Sequence, residues 1–440
     1  MYRYSKISIE KIITLFCISV LVFINTFAGE CSAGNATEND SDTLLQASDT
    51  DNMKMPYMVS FPTDSSSGLI HRIGVELHPG YIIQTHPFFR GENYFQKRLR
   101  NSLSMHFNYS FQFQPDTYSG RIYNDAYQGI GLNYNSFGDQ EEVGNPVGLY
   151  LLQGARIARL SQNLSFNYEW NLGLSFGWKP YNYENNHYNV VIGSKINAYI
   201  NANLYLKWML SPQVDLISGV GFTHFSNGNT KLPNGGLNTI GLKLGLAYNF
   251  NRNERYLLKP LYQQSPVARF TPYISYDLVL FGSWRRKMVH FGDDLVVSPH
   301  KYNVVGFNFA AMYNIGYKFR TGISLDGVYD KSANVYTEDY ISGTEQEFYK
   351  PSLDKQLALG LSGRAEYVMP YFTVGIGLGA NVLHRGGDLK AFYQILALKM
   401  ELTKSSFIHV GYSLHDFHTP NFLMLGIGFR FNNKYPYHYR

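Results

Sequence analysis

"LSFNYEWNLGLSFGW", residues 164 to 178, alternates without a break. Leu164, Phe166, Tyr168, Trp170, Leu172, Leu174, Phe176 and Trp178 are apolar, while Ser165, Asn167, Glu169, Asn171, Gly173, Ser175 and Gly177 lie between them. A period of two puts the two sets on opposite faces of a β-strand. Eight apolar positions in strict alternation outrun a soluble strand, whose usual length is about 5 or 6 residues.

Working outward from this stretch, the same period recurs in about sixteen segments, near 70–84, 100–114, 125–136, 146–159, 162–178, 192–209, 213–226, 236–250, 269–283, 302–317, 319–329, 356–369, 371–384, 389–402, 405–415 and 419–431. The composition agrees with a strand-built membrane protein. The 440 residues include 36 Tyr, 30 Phe and 40 Gly, and only 16% are charged. No apolar run after the first 33 residues reaches the roughly 18 that a membrane helix needs. An outer-membrane barrel is only moderately apolar along its length, because only alternate residues meet lipid.

The chain opens with a basic stretch, an apolar run from Ile12 to Ala28 and then small residues, the pattern of a secretory signal peptide cut after Ala28 or Ala33. "AGEC" is a poor lipoprotein box, because Glu30 directly precedes Cys31. Cys17 and Cys31 are the only cysteines, so the body of the exported chain has neither disulfide nor thiolate chemistry. A formal charge of +5 without a long basic run gives no ground for nucleic-acid binding. Residues 34–67 are rich in Asn, Asp, Ser and Thr and read as a flexible periplasmic segment.

The connections sort by parity. Those after even-numbered segments are mostly tight ("RLSQN", "MLSPQ", "KFRTG", "VMPYF", "LTKSS"), and several after odd-numbered ones are long and polar, such as "KPYNYENNHYN" and "RRKMVHFGDDLVVSPHK". Short periplasmic turns and long outer loops are the habit of bacterial barrels, so odd strands run outward. "LGLAYNF" at 244–250 and "LGIGFRF" at 425–431 share one pattern, and each closes eight segments. The expected fold is therefore an all-β, antiparallel outer-membrane barrel of about sixteen strands, with two tandem eight-stranded barrels as the alternative. The expected boundaries are a signal peptide (1–33), the flexible segment (34–67), a first eight-strand unit (68–251), a linker (252–268), a second unit (269–432) and a tail (433–440).

Chemistry concentrates in "THFSNGNTKLPNGGLN", residues 223–238. Apolar residues share the even face with His224 and Ser226 on the seventh segment, and with Asn238 on the eighth. That face is the lipid face. A hairpin turning about Lys231 sets His224 opposite Asn238 and Ser226 opposite Gly236, on one face at the outer-leaflet end. A serine hydroxyl becomes a nucleophile when an imidazole takes its proton and a third group holds the imidazole in the right tautomer. Ser226, His224 and Asn238 suit those roles, with Asn234 or the amides of the following glycines as oxyanion donors.

At these positions the sequence resembles the PagL-type lipid A 3-O-deacylases, whose pattern reads His-x-Ser-Asn, then Lys-x-Pro-Asn-x-Gly, then an apolar residue and Glu. His224, Ser226, Asn227, Lys231, Pro233, Asn234 and Gly236 match it without a gap. The resemblance covers about residues 68–251 and implies an eight-stranded, integral outer-membrane enzyme. It implies hydrolysis of the ester-linked 3-hydroxyacyl chain at position 3 of lipid A, with Ser226 as nucleophile, His224 as base, Asn234 as oxyanion donor and no cofactor. One departure stands out: the family's acidic triad member falls on Asn238. Outer-membrane phospholipases A, which are calcium-dependent, use a Ser-His-Asn triad and are the alternative family. A non-catalytic barrel or pore, with a merely polar hairpin end, is the third reading.

Elsewhere the signals are weaker. His415, Asp416 and His418 lie near the end of the second unit, but no serine stands where Ser226 does. They read as loop residues, and too few ligands accompany them for a metal site. Arg285, Arg286 and Lys287 read as a solvated loop, with the phosphates of lipid A as the other reading.

Overall fold

Each of the sixteen alternating segments forms a strand, and closure follows from which edges find partners. The structure, a computed structural model, describes residues 69–115, 117–123, 125–252, 267, 269–291, 294–338, 347–417 and 419–434. The expected signal peptide and periplasmic segment, most of the linker, and residues 435–440 of the tail lie outside the described residues.

In the first half, β1 (Leu69–Ile82), β2 (Asn101–Phe113), β3 (Tyr127–Ser136), β4 (Gly144–Arg159), β5 (Leu164–Trp178), β6 (Ile196–Met209), β7 (Val214–Ser226) and β8 (Leu237–Phe250) form a closed antiparallel barrel. Its seam is the β1–β8 pairing, with Ile73 opposite Tyr248 and Leu77 opposite Leu244. The second half repeats the plan with β9 (Tyr273–Arg285), β12 (Tyr302–Asn314), β13 (Phe319–Asp330), β14 (Leu357–Val368), β15 (Phe372–Leu383), β16 (Phe392–Glu401), β17 (Ser406–His415) and β18 (Thr419–Phe431). β18 closes onto β9, Phe429 facing Leu278. The short strands β10 (Met288–Phe291) and β11 (Asp294–Val297) make a separate hairpin in the β9–β12 loop.

The chain thus takes the tandem form, two closed barrels of eight strands each, rather than the single larger barrel. The physical reason is edge satisfaction. Once β8 has paired with β1, no open edge remains for β9 to extend. Eight strands also enclose only enough room for side chains, whereas sixteen would leave an aqueous channel. Both interiors are filled accordingly. In the first, Lys243 is fully buried and donates to Glu76 at 2.6 Å and Glu169 at 2.8 Å. In the second, Arg430 bonds Asp277 at 2.8 Å and Glu401 at 2.9 Å. Deleting one partner of such a buried set leaves an uncompensated charge, at a cost of about 3–5 kcal/mol.

Outside, Leu77, Phe107, Leu132, Leu149, Leu204, Val220 and Ile240 are left uncovered by protein, an apolar band suited to lipid. No helix among the described residues is long and apolar enough to cross a membrane, which says nothing about crossing by strands.

One residue leaves the face its periodicity assigns. Gly177 has a φ of +93°, a left-handed conformation natural to glycine, and it turns Trp178 into the barrel. There Trp178 donates from Nε1 to Ser175 Oγ at 2.9 Å and stacks on Phe137 at 5.5 Å between ring centroids. With Phe88, Phe89, Tyr199 and Phe225 it forms a buried apolar cluster. Each such side chain contributes about 1.5–3 kcal/mol by burial.

The two barrels also meet. Tyr168, Trp170 and Leu172 on the outer face of β5 pack against Met369, Phe372 and Leu398. The Trp170 and Phe372 rings are edge-to-face at 5.1 Å, and Tyr118 Oη bonds Tyr317 Oη at 2.7 Å.

Candidate active site

Phe225 decides which way its neighbours point. It is 1% exposed and packs inside the first barrel against Trp178, ring centroids 5.0 Å apart. Successive side chains of a strand point to opposite faces, so His224 and Ser226 project outward toward lipid. The β7–β8 register is the expected one. His224 pairs with Asn238, and Phe225 with Leu237 is the last rung before the turn.

On that face His224 bridges its two partners. Its Nδ1 lies 2.7 Å from Asn238 Oδ1, and its Nε2 lies 2.9 Å from Ser226 Oγ. A carboxamide oxygen only accepts, so Nδ1 carries the proton and Nε2 is left to accept from the serine hydroxyl. Asn238 is buried, and its backbone oxygen accepts from Ile83 N at 2.9 Å. The orienting group is therefore fixed by its own main chain.

The loop beyond Ser226 is braced by amides. Asn227 Nδ2 donates to Lys231 O at 2.9 Å, Asn227 N donates to Asn234 Oδ1 at 3.1 Å, and Asn234 Nδ2 donates to Asn229 Oδ1 at 3.0 Å. Asn234 thus ties the loop together and keeps one of its two Nδ2 hydrogens for another acceptor. The glycine amides offered as alternative oxyanion donors are already used, Gly235 N by Val190 O at 3.3 Å and Gly236 N by Val191 O at 3.0 Å. Gly236 has a φ of +71°, and a Cβ there would stand 3.4 Å from His224 Cε1. The left-handed backbone favours glycine there, and a Cβ would only come into contact with the imidazole.

Sequence reasoning missed the β5–β6 loop that supplies those carbonyls. Asn189, fully buried, accepts at Oδ1 from Val191 N at 3.3 Å and Ile192 N at 3.1 Å, and donates from Nδ2 to Glu142 O at 2.7 Å. The available signal was the apolar "VVI" at 190–192 closing a polar loop, a stretch with something to bury.

Among the described residues one Glu-His-His group could hold a metal ion, Glu76, His78 and His106. It lies inside the first barrel on β1 and β2, not on the lipid face. Glu76 already binds Lys243, and His78 stacks on His106 at 4.0 Å, an arrangement built for internal pairing. His415 accounts for itself differently: it is buried, with Nδ1 3.1 Å from Phe392 O. His418 lies outside the described residues.

Comparison with known proteins bears on both halves. Residues 104–247 match the model of the lipid A 3-O-deacylase (PagL) family, and residues 274–433 match the acyloxyacyl hydrolase C-terminal domain. Together the two matches span more than half of the chain. The chain belongs to the lipid A 3-O-deacylase (PagL) family. It is accordingly an integral outer-membrane ester hydrolase acting on lipid A. The resemblance stated for the first unit holds, and the second unit, unassigned from sequence, has a family model of its own.

Among solved structures, the chain is similar to Neisserial surface protein A (11% identity, TM-score 0.28, covering 42% of this chain and 100% of that one). It is also similar to the Acinetobacter baumannii outer membrane protein Omp33 (10% identity, TM-score 0.16, covering 83% and 99%). No curated protein matches the chain.

Proposed function

We propose that the ester of lipid A is cut at the head of β7, with Ser226 as nucleophile, His224 as base, Asn238 as the group that orients His224, and Asn234 as oxyanion donor. The observation that carries this reading is His224 spanning Ser226 and Asn238 at 2.9 and 2.7 Å on the membrane face. Ser226 Oγ attacks the carbonyl carbon of the acyl chain at position 3 while its proton passes to His224 Nε2. The free Nδ2 hydrogen of Asn234 stabilises the carbonyl oxygen as it gains charge. The bond to the sugar oxygen breaks, that oxygen takes the proton from Nε2, and the acyl chain stays on the serine. Water, deprotonated by the same nitrogen, then releases the 3-hydroxy fatty acid. No step requires a metal.

An amide in the third position holds the tautomer but brings no charge to offset the imidazolium. The cost falls on rate rather than on the existence of the pathway.

Mass spectrometry of lipid A from cells producing the wild type or Ser226→Ala tests the assignment. The wild type should yield lipid A lacking one ester-linked 3-hydroxyacyl chain at position 3, and the variant intact lipid A at equal outer-membrane yield. Equal deacylation by both proteins would remove Ser226 from the chemistry. Phospholipid cleavage with intact lipid A would make the protein a phospholipase.

A further inference from the structure

The second barrel reaches the catalytic loop of the first. Arg286, just past the outer end of β9, donates its backbone N–H to Asn229 O at 3.2 Å. Asn229 in turn accepts from Asn234 through Oδ1, so the contact runs directly into the bracing of the site. Beside it, a Cβ on Gly228 would lie 3.6 Å from Cε2 of Tyr412, on the outer face of β17. Within the membrane, by contrast, Ile200, the β6 neighbour of His224, and Val220, on β7 below it, are about half exposed. The site is bridged at its rim and open to acyl chains from the side.

The three basic residues at this rim differ in what they are free to do. Arg285 is engaged by Asn421 O and Oδ1, each at 2.7 Å, and Lys287 by Asp388 at 2.5 Å. Arg286 has neither: its Nε is buried without a hydrogen-bond partner, and no ion pair among the described residues engages its guanidinium. A buried donor of fixed positive charge without an acceptor is costly. An arginine fork matches the oxygens of a phosphate.

We infer that Arg286 and Tyr412 of the second barrel form the second wall of the catalytic cleft, where Arg286 binds a phosphate of the lipid A head group and Tyr412 flanks the substrate. This rests on the proposed site at Ser226 and gives the second barrel a task in the same reaction. Arg286 is a substrate-binding residue in this scheme, and the bond-breaking groups all belong to the first barrel.

The test is steady-state deacylation by the full-length protein in mixed micelles, with lipid A and with the same lipid A stripped of its phosphates. Arg286→Ala should raise KM for phosphorylated lipid A about tenfold with kcat nearly unchanged, and leave the stripped lipid unaffected. Arg286→Lys, which keeps the charge, should recover part of the loss. Heat-modifiable migration of each variant reports folding. A wild type that deacylates lipid A while Arg286→Ala is unaltered, or slowed equally on both lipids, would overturn the inference alone. A wild type inactive on both lipids would sink the functional reading and this inference with it.

Discussion

The seventh strands of the two barrels each carry a histidine at or near the hairpin leading to the eighth, and the two histidines face opposite ways. In the first barrel the β7–β8 register runs without interruption, and His224 stands opposite Asn238 on the membrane side. In the second, pairing shifts between Tyr412 and Leu414, and His415, opposite Thr419, is buried inside. The shift does not turn His415: along β17 Phe407, His409, Ser413 and His415 are buried in strict alternation, so His415 is inward by parity. The irregularity lies on β18, where Asn421 and Phe422 are both buried. One hairpin thus presents an imidazole to lipid, beside a serine. The other turns its imidazole inward, where Nδ1 meets Phe392 O, and places Phe417 two residues on. Both halves keep the eight-stranded barrel, while the parity of one histidine and one hydroxyl decide where chemistry is possible.

The largest test of this contrast is to disarm the active hairpin. Ser226→Ala and His224→Ala should each lower deacylation on the order of 10³-fold or more, and the double variant little further, because the two act as one unit. Independent, multiplying losses measured in single-turnover assays would break the pairing.

Asn238 sharpens the comparison at an intermediate scale. Asn238→Ala should cost about ten- to a hundredfold, less than the base itself, because His224 remains but spends less time in the required tautomer. Asn238→Glu should preserve or raise the rate, since a carboxylate also stabilises the imidazolium. An alanine without effect together with a harmful glutamate would make Asn238 a bystander.

Gly236 tests the backbone beneath the imidazole. Alanine there must adopt a left-handed φ at about 1–2 kcal/mol, and its Cβ would press on Phe225 O at 3.3 Å and His224 Cε1 at 3.4 Å. We expect a several-fold fall in kcat with the protein still folded, read by heat-modifiable migration beside the kinetics. The smallest effect belongs to the second barrel: His415→Ala should leave lipid A deacylation unchanged. A clear loss there would show that the inward hairpin has a part in the reaction.

What the sequence made legible and what it hid divide along the same physical line. Strand period and hairpin register are local, so "LSFNYEWNLGLSFGW" and the turn about Lys231 were enough to find the sixteen segments and to place His224 opposite Asn238. Closure is not local. Whether β8 pairs with β1 or with β9 depends on edges more than 150 residues apart, and alternation reads the same in either case. The inward turn of Trp178 depends on the φ of Gly177, which the letter glycine permits without requiring. The glycine amides looked available because nothing in their own segment accepts from them. Their acceptors, Val190 O and Val191 O, come from another loop. Arg286 read as one of three similar cations, and only the placement of Asn421 and Asp388 shows that its two neighbours are engaged.

The central claim, that chemistry resides on Ser226 of the first barrel and is activated by His224, is tested most directly by covalent trapping. A single-chain alkyl phosphonate ester, incubated with the full-length protein in micelles and followed by peptide mass spectrometry, should leave its adduct on Ser226. The adduct should be lost in His224→Ala and retained in His415→Ala. An adduct on another residue, or none at Ser226 in a preparation that still deacylates lipid A, would contradict the account.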